Sequence, residues 1–181
     1  QYIKGPDFPT GGYILGRSGI RKAMETGKGT IVMRAKTKIE DMPTGKKRIV
    51  VYEIPYMVNT ALMVEKIAQL ARDKQIEGIT DLRDETNMKG IRVVMELKKD
   101  AQPEVILNQL YRMSPLQSNF GVNNVVLFNN VPHQATLKEM IQGYLDHQIE
   151  VITRRTEFDL KKAQDRAHIL EGLRIAVDNL D

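Results

Sequence analysis

Three carboxylates lie close together in the segment DLRDE, where Asp81, Asp84 and Glu85 fall within five positions. Carboxylate oxygens are ligands that Mg²⁺ prefers, so this cluster is a candidate metal site. However, Arg83 stands between the two aspartates, and acidic turns that contain an arginine usually form ion pairs at the surface. We therefore predict that this acidic turn holds ion pairs rather than a metal ion.

No other set of reactive side chains has the spacing that catalysis requires. His133, His147 and His168 are too far apart in sequence to form a zinc site. Ser18 and Ser118 lie outside a nucleophile-elbow motif, and the only Gly-Lys-Gly run lacks the spacing of a phosphate-binding loop. None of the six tyrosines is in a setting that singles out a nucleophile. We predict no catalytic residue and no metal ligand in this chain.

Basic side chains offer a different kind of chemistry. Arg34, Lys36 and Lys38 recur at every second position, so one strand would place them on one face, about 6–7 Å apart. This is close to the spacing of successive phosphates, and three phosphate contacts predict a log–log salt slope of about −2.7. A solvated basic face is the alternative reading. Four neighbouring cations are further candidates for contacts with a polyanion: Arg17, Arg21, Lys22 and Lys28.

The charge of the chain is concentrated near its start. The formal net charge is +4, but the first 48 residues carry eleven Lys/Arg and four Asp/Glu, a net charge of +7. Residues 49–135 and 136–181 have net charges of −1 and −2. A basic segment on a nearly neutral body is typical of a protein that binds a polyanion.

The composition limits the class of protein. The chain has 181 residues, of which 41% are hydrophobic and 28% charged, as expected for a soluble domain with a core. The absence of cysteine excludes disulfides and thiolate metal sites and favours a cytoplasmic setting. The sequence contains no signal-peptide pattern and no membrane-length apolar run, and the missing initiator methionine indicates a piece of a longer protein.

The first part of the chain predicts a loop, a helix and a hairpin. GPDFPTGG is a Pro/Gly-rich loop, and SGIRKAMETG predicts a helix that Ser18 caps and Gly27 ends. Residues 30–40 alternate with period two, which predicts one strand with an apolar and a basic face. KRIVVYEIP then returns as the second strand of a hairpin.

Helices and strands alternate in the middle of the chain. A helix is predicted to start at Asn59 and to end at Gly78, and another has Pro103 in its first turn. IRVVMELKK and NNVVLF predict strands. The order of elements predicts an α+β fold, with helices on one face of a mainly antiparallel sheet.

A long helix is predicted from residue 136 to residue 181. Thr136 and Glu139 form a capping box, and apolar positions then recur with a mean spacing of about 3.6 residues. At 1.5 Å per residue this helix would be about 69 Å long. We therefore expect its distal stripe, which includes Leu160, Leu170 and Leu173, to pack on a segment that this chain lacks.

Five motifs resemble the A subunits of bacterial type IIA DNA topoisomerases: GPDFPTGG, IPYMVN, LRDET, NFGVNNV and TRRTEFDLKKAQDRAHILEGL. The resemblance runs from about residue 5 to residue 181. RAHILEGL and NFGVN are more similar to DNA gyrase than to topoisomerase IV, which is the alternative.

The resemblance implies an architecture and a role. Residues 1–135 would form the α+β tower domain, and residues 136–181 would form the first half of a coiled-coil arm that ends in a dimer gate. The tower would bind double-stranded gate-segment DNA and help to bend it. A structural spacer that does not touch DNA is the rival hypothesis.

The resemblance also implies that the chemistry lies outside this chain. The nucleophilic tyrosine, its neighbouring arginine and the isoleucine that wedges between bases belong to upstream sequence. The Mg²⁺ and ATP would be used through the other gyrase subunit, so no cofactor is expected here. The implied partners are DNA, the gyrase B subunit and a second copy of the A subunit, in a cytoplasmic A₂B₂ enzyme that introduces negative supercoils.

The IPYMVN corner matches a family motif that lies beside the DNA-binding groove. Tyr56 and Asn59 are therefore candidate DNA contacts by resemblance. Thr60 stands where the family pattern has a lysine, which places a direct phosphate contact there in doubt. From the residues alone, Pro55 ends the strand, Tyr56 packs and Asn59 caps the following helix.

Overall fold

The computed structural model describes residues 2–179, and the chain divides after Asn124 into two compact units. In the first unit the described residues form seven strands and three helices: β1 (Tyr13–Leu15), α1 (Ser18–Thr26), β2 (Lys28–Arg34), β3 (Lys36–Asp41), β4 (Lys47–Glu53), α2 (Thr60–Arg72), β5 (Ile79–Asp84), β6 (Val93–Leu97), α3 (Pro103–Met113) and β7 (Gln117–Asn123). The domain boundary predicted at residue 135 stays a prediction.

Two antiparallel sheets organise the first unit. One has the strand order β1-β2-β7, and the other has the order β3-β4-β6-β5. The buried core combines inward side chains of the four-stranded sheet with those of α2 and α3, including Ile49, Val51, Val93, Met95, Met63, Ile67, Ile106 and Leu110. The predicted α+β fold with a mainly antiparallel sheet is confirmed.

The single strand predicted over residues 30–40 is wrong. The chain passes from the three-stranded to the four-stranded sheet at Ala35, which is fully buried and whose N–H donates to the Leu116 carbonyl at 2.8 Å. A β-bulge follows between Lys36 and Thr37. A period-two pattern is the same whether the strand stays in one sheet or enters another, so it does not reveal this crossing. The hairpin itself is confirmed, as β3 and β4.

Some predicted helix ends are confirmed and others are wrong. Gly27 ends α1 with φ of 73°, and the Asn59 side chain accepts the N–H of Leu62 at the start of α2. Ser18 is the first helical residue rather than the cap, since Arg17 precedes it without a side-chain capping bond. α2 ends at Arg72, six positions before Gly78, which instead leads into β5.

The second unit contains a hairpin and the long helix. β8 (Val125–Phe128) pairs with β9 (Val131–Gln134), and α4 (Leu137–Asp178) has 42 residues, about 63 Å at 1.5 Å per residue. The capping box at Thr136 is confirmed. No helix in the part of the chain that the structure describes is both long and apolar enough to cross a membrane.

Gly143 has a packing role within the second unit. A side-chain carbon added at Gly143 would lie 2.3 Å from the Phe128 ring, so the glycine lets this ring lie directly on α4. None of the described residues of α4 is buried. Leu160, Leu170 and Leu173 are each about half exposed, as the predicted apolar stripe requires, while residue 180 lies outside the described residues.

Candidate nucleic-acid interface

The three strand cations do not share one face of one strand. Arg34 ends β2, whereas Lys36 and Lys38 belong to β3 in the other sheet. The Arg34 guanidinium donates to the Gln117 side-chain oxygen at 2.6 and 2.9 Å and lies 4.3 Å from the centre of the Tyr111 ring. Arg34 is thus held inside the first unit by two partners.

Lys36 forms an ion pair within the first unit. Its ammonium lies 3.0 and 3.1 Å from the two carboxylate oxygens of Glu53 and 5.4 Å from the centre of the Tyr13 ring. Glu53 also accepts the N–H of Gly12 at 2.5 Å. The Gly12 N–H and the Lys36 ammonium lower the pKa of the Glu53 carboxyl, and the hydrogen bond to Glu53 raises the pKa of Lys36.

Lys38 is the one cation of the predicted trio that points freely into solvent. Its side chain is 71% exposed, and its ammonium lies 4.0 Å from the carboxylate of Glu40, at the limit of an ion pair. Contact between DNA and Arg34, Lys36 or Lys38 stays a prediction, but the geometry of the trio leaves only Lys38 without a close partner to displace.

A second group of basic side chains lies in and beside helix α1: Arg17 precedes the helix, Arg21 and Lys22 belong to it, and Lys28 begins β2. All four side chains are exposed, and within residues 2–179 none of them forms an ion pair. Ala23 is buried on the opposite side of the helix, so the cations of α1 lie on its outer side. We call this group of four the α1 patch.

Two glycines hold α1 against the sheet. A side-chain carbon at Gly19 would lie 2.0 Å from the Thr30 carbonyl oxygen, and one at Gly29 would lie 2.8 Å from the Gly19 carbonyl oxygen. Any larger residue would clash with backbone at either position. Backbone-to-backbone contact between α1 and β2 therefore fixes the position of the α1 patch on the three-stranded sheet.

The IPYMVN corner packs as the residues predict. Tyr56 belongs to a cluster of three rings with Phe8 and Phe120, whose centres are 5.2–6.0 Å apart. The Asn59 side chain is used as the α2 cap. These contacts account for Tyr56 and Asn59 as structural residues, and a DNA contact by either stays a prediction.

The acidic DLRDE segment carries ion pairs, as predicted, although Asp81 and Asp84 belong to strand β5 and not to a turn. Arg83 contacts Asp81, Glu85 at 3.3 Å and Glu96 at 2.7 Å, and Arg92 donates to Glu85 at 2.9 Å. The hydrogen bonds from Arg92 and Arg83 lower the pKa of Glu85. Among the described residues, no three His, Cys, Asp or Glu side chains are placed to hold a metal ion.

Residues 1–181 match the family of A subunits of DNA gyrase/topoisomerase IV. The chain belongs to this family. It is 59% identical over 180 residues to the A subunits of DNA gyrase from Staphylococcus epidermidis and from Staphylococcus aureus strain MRSA252, matches that cover 99% of this chain and 20% of each relative. It is 58% identical over 181 residues to the A subunit of DNA gyrase from Ureaplasma parvum serovar 3, covering 100% of this chain and 22% of the relative. The predicted resemblance is confirmed, and the chain spans about a fifth of the length of these relatives.

Two features of this member of the gyrase/topoisomerase IV family were missed by sequence reasoning. Glu53, the partner of Lys36, was not predicted, and neither was strand β7, which supplies the Arg34 partner Gln117. The sequence of β7, QSNFGVN, is too polar and glycine-containing to predict a strand. The glycines at 11, 12, 19 and 29 were a usable signal, because each marks a close approach of another group.

Proposed function

We propose that this chain is the tower region and the first half of the coiled-coil arm of a DNA gyrase A subunit, and that its α1 patch binds the backbone of gate-segment DNA. The observation that carries the DNA-binding role is the group of four exposed cations without an ion-pair partner among the described residues. Family membership supports the choice of DNA as the polyanion. Smooth bending of a site of 20–30 base pairs costs on the order of 1–6 kcal/mol, which a basic flank would offset.

The α1 patch suits a sequence-independent contact. Arginine and lysine bind phosphate oxygens through charge, and such contacts fix the position of the duplex without reading bases. If all four side chains neutralise a phosphate, the log–log salt slope is about −3.6. Binding should therefore be strong at low salt, weak at physiological salt and insensitive to DNA sequence.

Substitution of the α1 patch tests this role. The chain with Arg17, Arg21, Lys22 and Lys28 all changed to Ala is compared with the parent by fluorescence anisotropy on duplex DNA from about 25 to about 200 mM salt. We expect most of the slope to disappear, whereas Lys38→Ala, which removes one exposed cation from the other sheet, should remove at most about 0.9. A quadruple variant that keeps the parent slope would instead support the hypothesis of a spacer that does not touch DNA. One observation favours that hypothesis: Arg34 and Lys36 already have partners within the first unit.

The exposed stripe on α4 supports the coiled-coil part of the proposal. A single helix of this length that leaves Leu160, Leu170 and Leu173 exposed needs a partner helix. The returning helix of the arm would supply it, and the arm would lead to the dimer gate.

The whole enzyme would be an ATP-dependent type II topoisomerase that introduces negative supercoils in the cytoplasm. It would be an A₂B₂ assembly with the gyrase B subunit, through which Mg²⁺ and ATP would be used. The chain alone is expected to neither cleave nor relax DNA, and formation of a covalent adduct between the purified chain and DNA would contradict this. The equivalent region of topoisomerase IV stays the alternative, since the family includes both enzymes.

A further inference from the structure

Glu53 is the centre of a small polar cluster at the point where the two sheets of the first unit meet. It ends β4 and lies opposite Lys36, the first residue of β3. Both carboxylate oxygens lie within 3.1 Å of the Lys36 ammonium, and one of them also accepts the Gly12 N–H. The carboxylate thus holds two donors from two different segments.

The GPDFPTGG loop is shaped around this carboxylate. A side-chain carbon at Gly11 would lie 2.1 Å from a Glu53 carboxylate oxygen, and Gly11 and Gly12 have φ of 72° and 89°, which favour glycine. Glycine thus lets the loop take this left-handed backbone and lie directly against the Glu53 carboxylate. This close approach keeps the carboxylate in place beside Lys36.

The pair occupies one cation of β3 that would otherwise be available to phosphate. Lys36 lies two positions from the exposed Lys38, yet its own side chain is only 29% exposed and its charge is balanced by Glu53. A phosphate would have to displace the carboxylate before it could bind Lys36. Charge-assisted pairs of this geometry are shorter and stronger than neutral hydrogen bonds.

We propose that Glu53 is an internal competitor of DNA phosphate for Lys36, so that the Glu53–Lys36 pair limits how strongly the first unit binds DNA. This inference rests on the proposed DNA-binding function and names a residue that regulates it. Removal of the Glu53 charge adds one phosphate contact, and retention of it keeps the affinity low enough for the duplex to be released.

Glu53→Gln in this chain tests the inference. Glutamine keeps a side-chain oxygen for the Gly12 N–H but has no charge to hold Lys36. One added phosphate contact steepens the log–log salt slope by about 0.9, which is a gain in affinity of about 15-fold at about 50 mM salt if the affinity at about 1 M salt is unchanged. In the Lys36→Ala background, Glu53→Gln should change both quantities by no more than the loss of one negative charge does, which Glu25→Gln measures.

Glu25→Gln is the matched control for the loss of one negative charge. Glu25 lies on the exposed side of α1 and forms no ion pair within residues 2–179, so its effect should be the same in the parent and in the Lys36→Ala background. Equal gains from Glu53→Gln in both backgrounds, or no gain in either, would overturn the competition between Glu53 and phosphate. The proposed function would stand in that case, provided that the α1 patch still bound DNA. Failure of the parent and of Glu53→Gln alike to bind DNA would overturn the proposed function and this inference together. Thermal melting confirms that each variant is folded.

Discussion

The same substitution, Gly to Ala, should have opposite effects in two helices of this chain. In α1, Gly19 faces β2, and the added methyl carbon would lie 2.0 Å from the Thr30 carbonyl oxygen. In α4, no atom of the described residues lies within 4 Å of a carbon added at Gly172. Neither glycine has a positive φ, so backbone strain does not separate the two cases.

The magnitudes follow from these surroundings. Alanine at Gly19 gains up to about 1 kcal/mol of helix propensity, but overpacking against a rigid backbone costs about 1–3 kcal/mol. Because 2.0 Å is far inside van der Waals contact and the obstacle is backbone, the overpacking cost should lie in the upper half of that range, at about 2–3 kcal/mol, so the net effect on the free energy of unfolding is a loss of about 1–2 kcal/mol. At Gly172 only the propensity term remains, so alanine should stabilise α4 by about 0.5–1 kcal/mol.

Two spectroscopic signals report on the two units. Five of the six tyrosines precede Asn124, so near-ultraviolet circular dichroism follows the unfolding of the first unit. The far-ultraviolet helical signal is dominated by α4, the longest helix described. We expect Gly19→Ala to lower the urea midpoint of the tyrosine signal and Gly172→Ala to raise that of the helical signal.

Gly121→Ala provides a control for the first unit, because in the described part of the chain no atom lies within 4 Å of the added carbon in β7. Its midpoint should equal that of the parent or be slightly higher, because alanine is favoured over glycine inside a strand. Since Gly19 holds the α1 patch against β2, Gly19→Ala should also weaken DNA binding, whereas Gly121→Ala should not. A Gly19→Ala variant as stable as the parent would refute the close backbone contact on which this reasoning depends.

Three other predictions concern the cap of α4, the acidic DLRDE segment and the apolar stripe. The N–H of Thr136 lowers the pKa of Glu139 from its ordinary value of 4.5. The cap should therefore stabilise α4 above that pH, and this stabilisation should be lost as the pH falls through the lowered pKa. The exchange rates of the first-turn amides measure this effect. Thr136→Ala removes the other half of the cap, the side-chain oxygen that accepts the Glu139 N–H, and should lower the stability of α4 by about 1 kcal/mol at neutral pH. At constant ionic strength, Mg²⁺ should leave the melting temperature unchanged, because arginines already pair Asp81 and Glu85 and the Asp84 carboxylate accepts the Thr86 N–H; an increase that saturates would contradict this. Sedimentation should show self-association through the stripe that Leu170→Glu with Leu173→Glu abolishes, or amide exchange should show fraying of the distal part of α4. A parent that is monomeric and fully protected from exchange along α4 would count against both.

The features that sequence predicted best are those that local interactions determine. The α4 helix follows from the Thr136 capping box and a 3.6-residue period, and both depend on residues within a few positions of each other. The Asn59 cap and the first-turn Pro103 are local in the same sense. The Gly78 prediction failed because the chain had already left α2 at Asp73, with Lys74 at φ of 56°.

The state of the basic residues depends on distant partners that the sequence does not identify. Arg34 is held by Gln117, which is 83 positions away. Lys36 meets Glu53 only because the bulge after it shifts the register by one, and an unbroken ladder would place Tyr52 opposite Lys36. Spacing along the chain predicts which cations share a strand face but not which of them are already paired.

Charge in the first unit is distributed by sheet rather than by position in the chain. The three-stranded sheet and α1 with its cap Arg17 carry five Lys/Arg and one acid, Glu25, for a net charge of +4. The four-stranded sheet carries five Lys/Arg and six Asp/Glu, many of them paired across its strands. Since β1 and β7 have no charged residue, no acid of their own offsets the cations beside them. In the folded unit, the basic excess of the first 48 residues is therefore concentrated mainly on the α1 side. Under the proposed function, a duplex should approach this side.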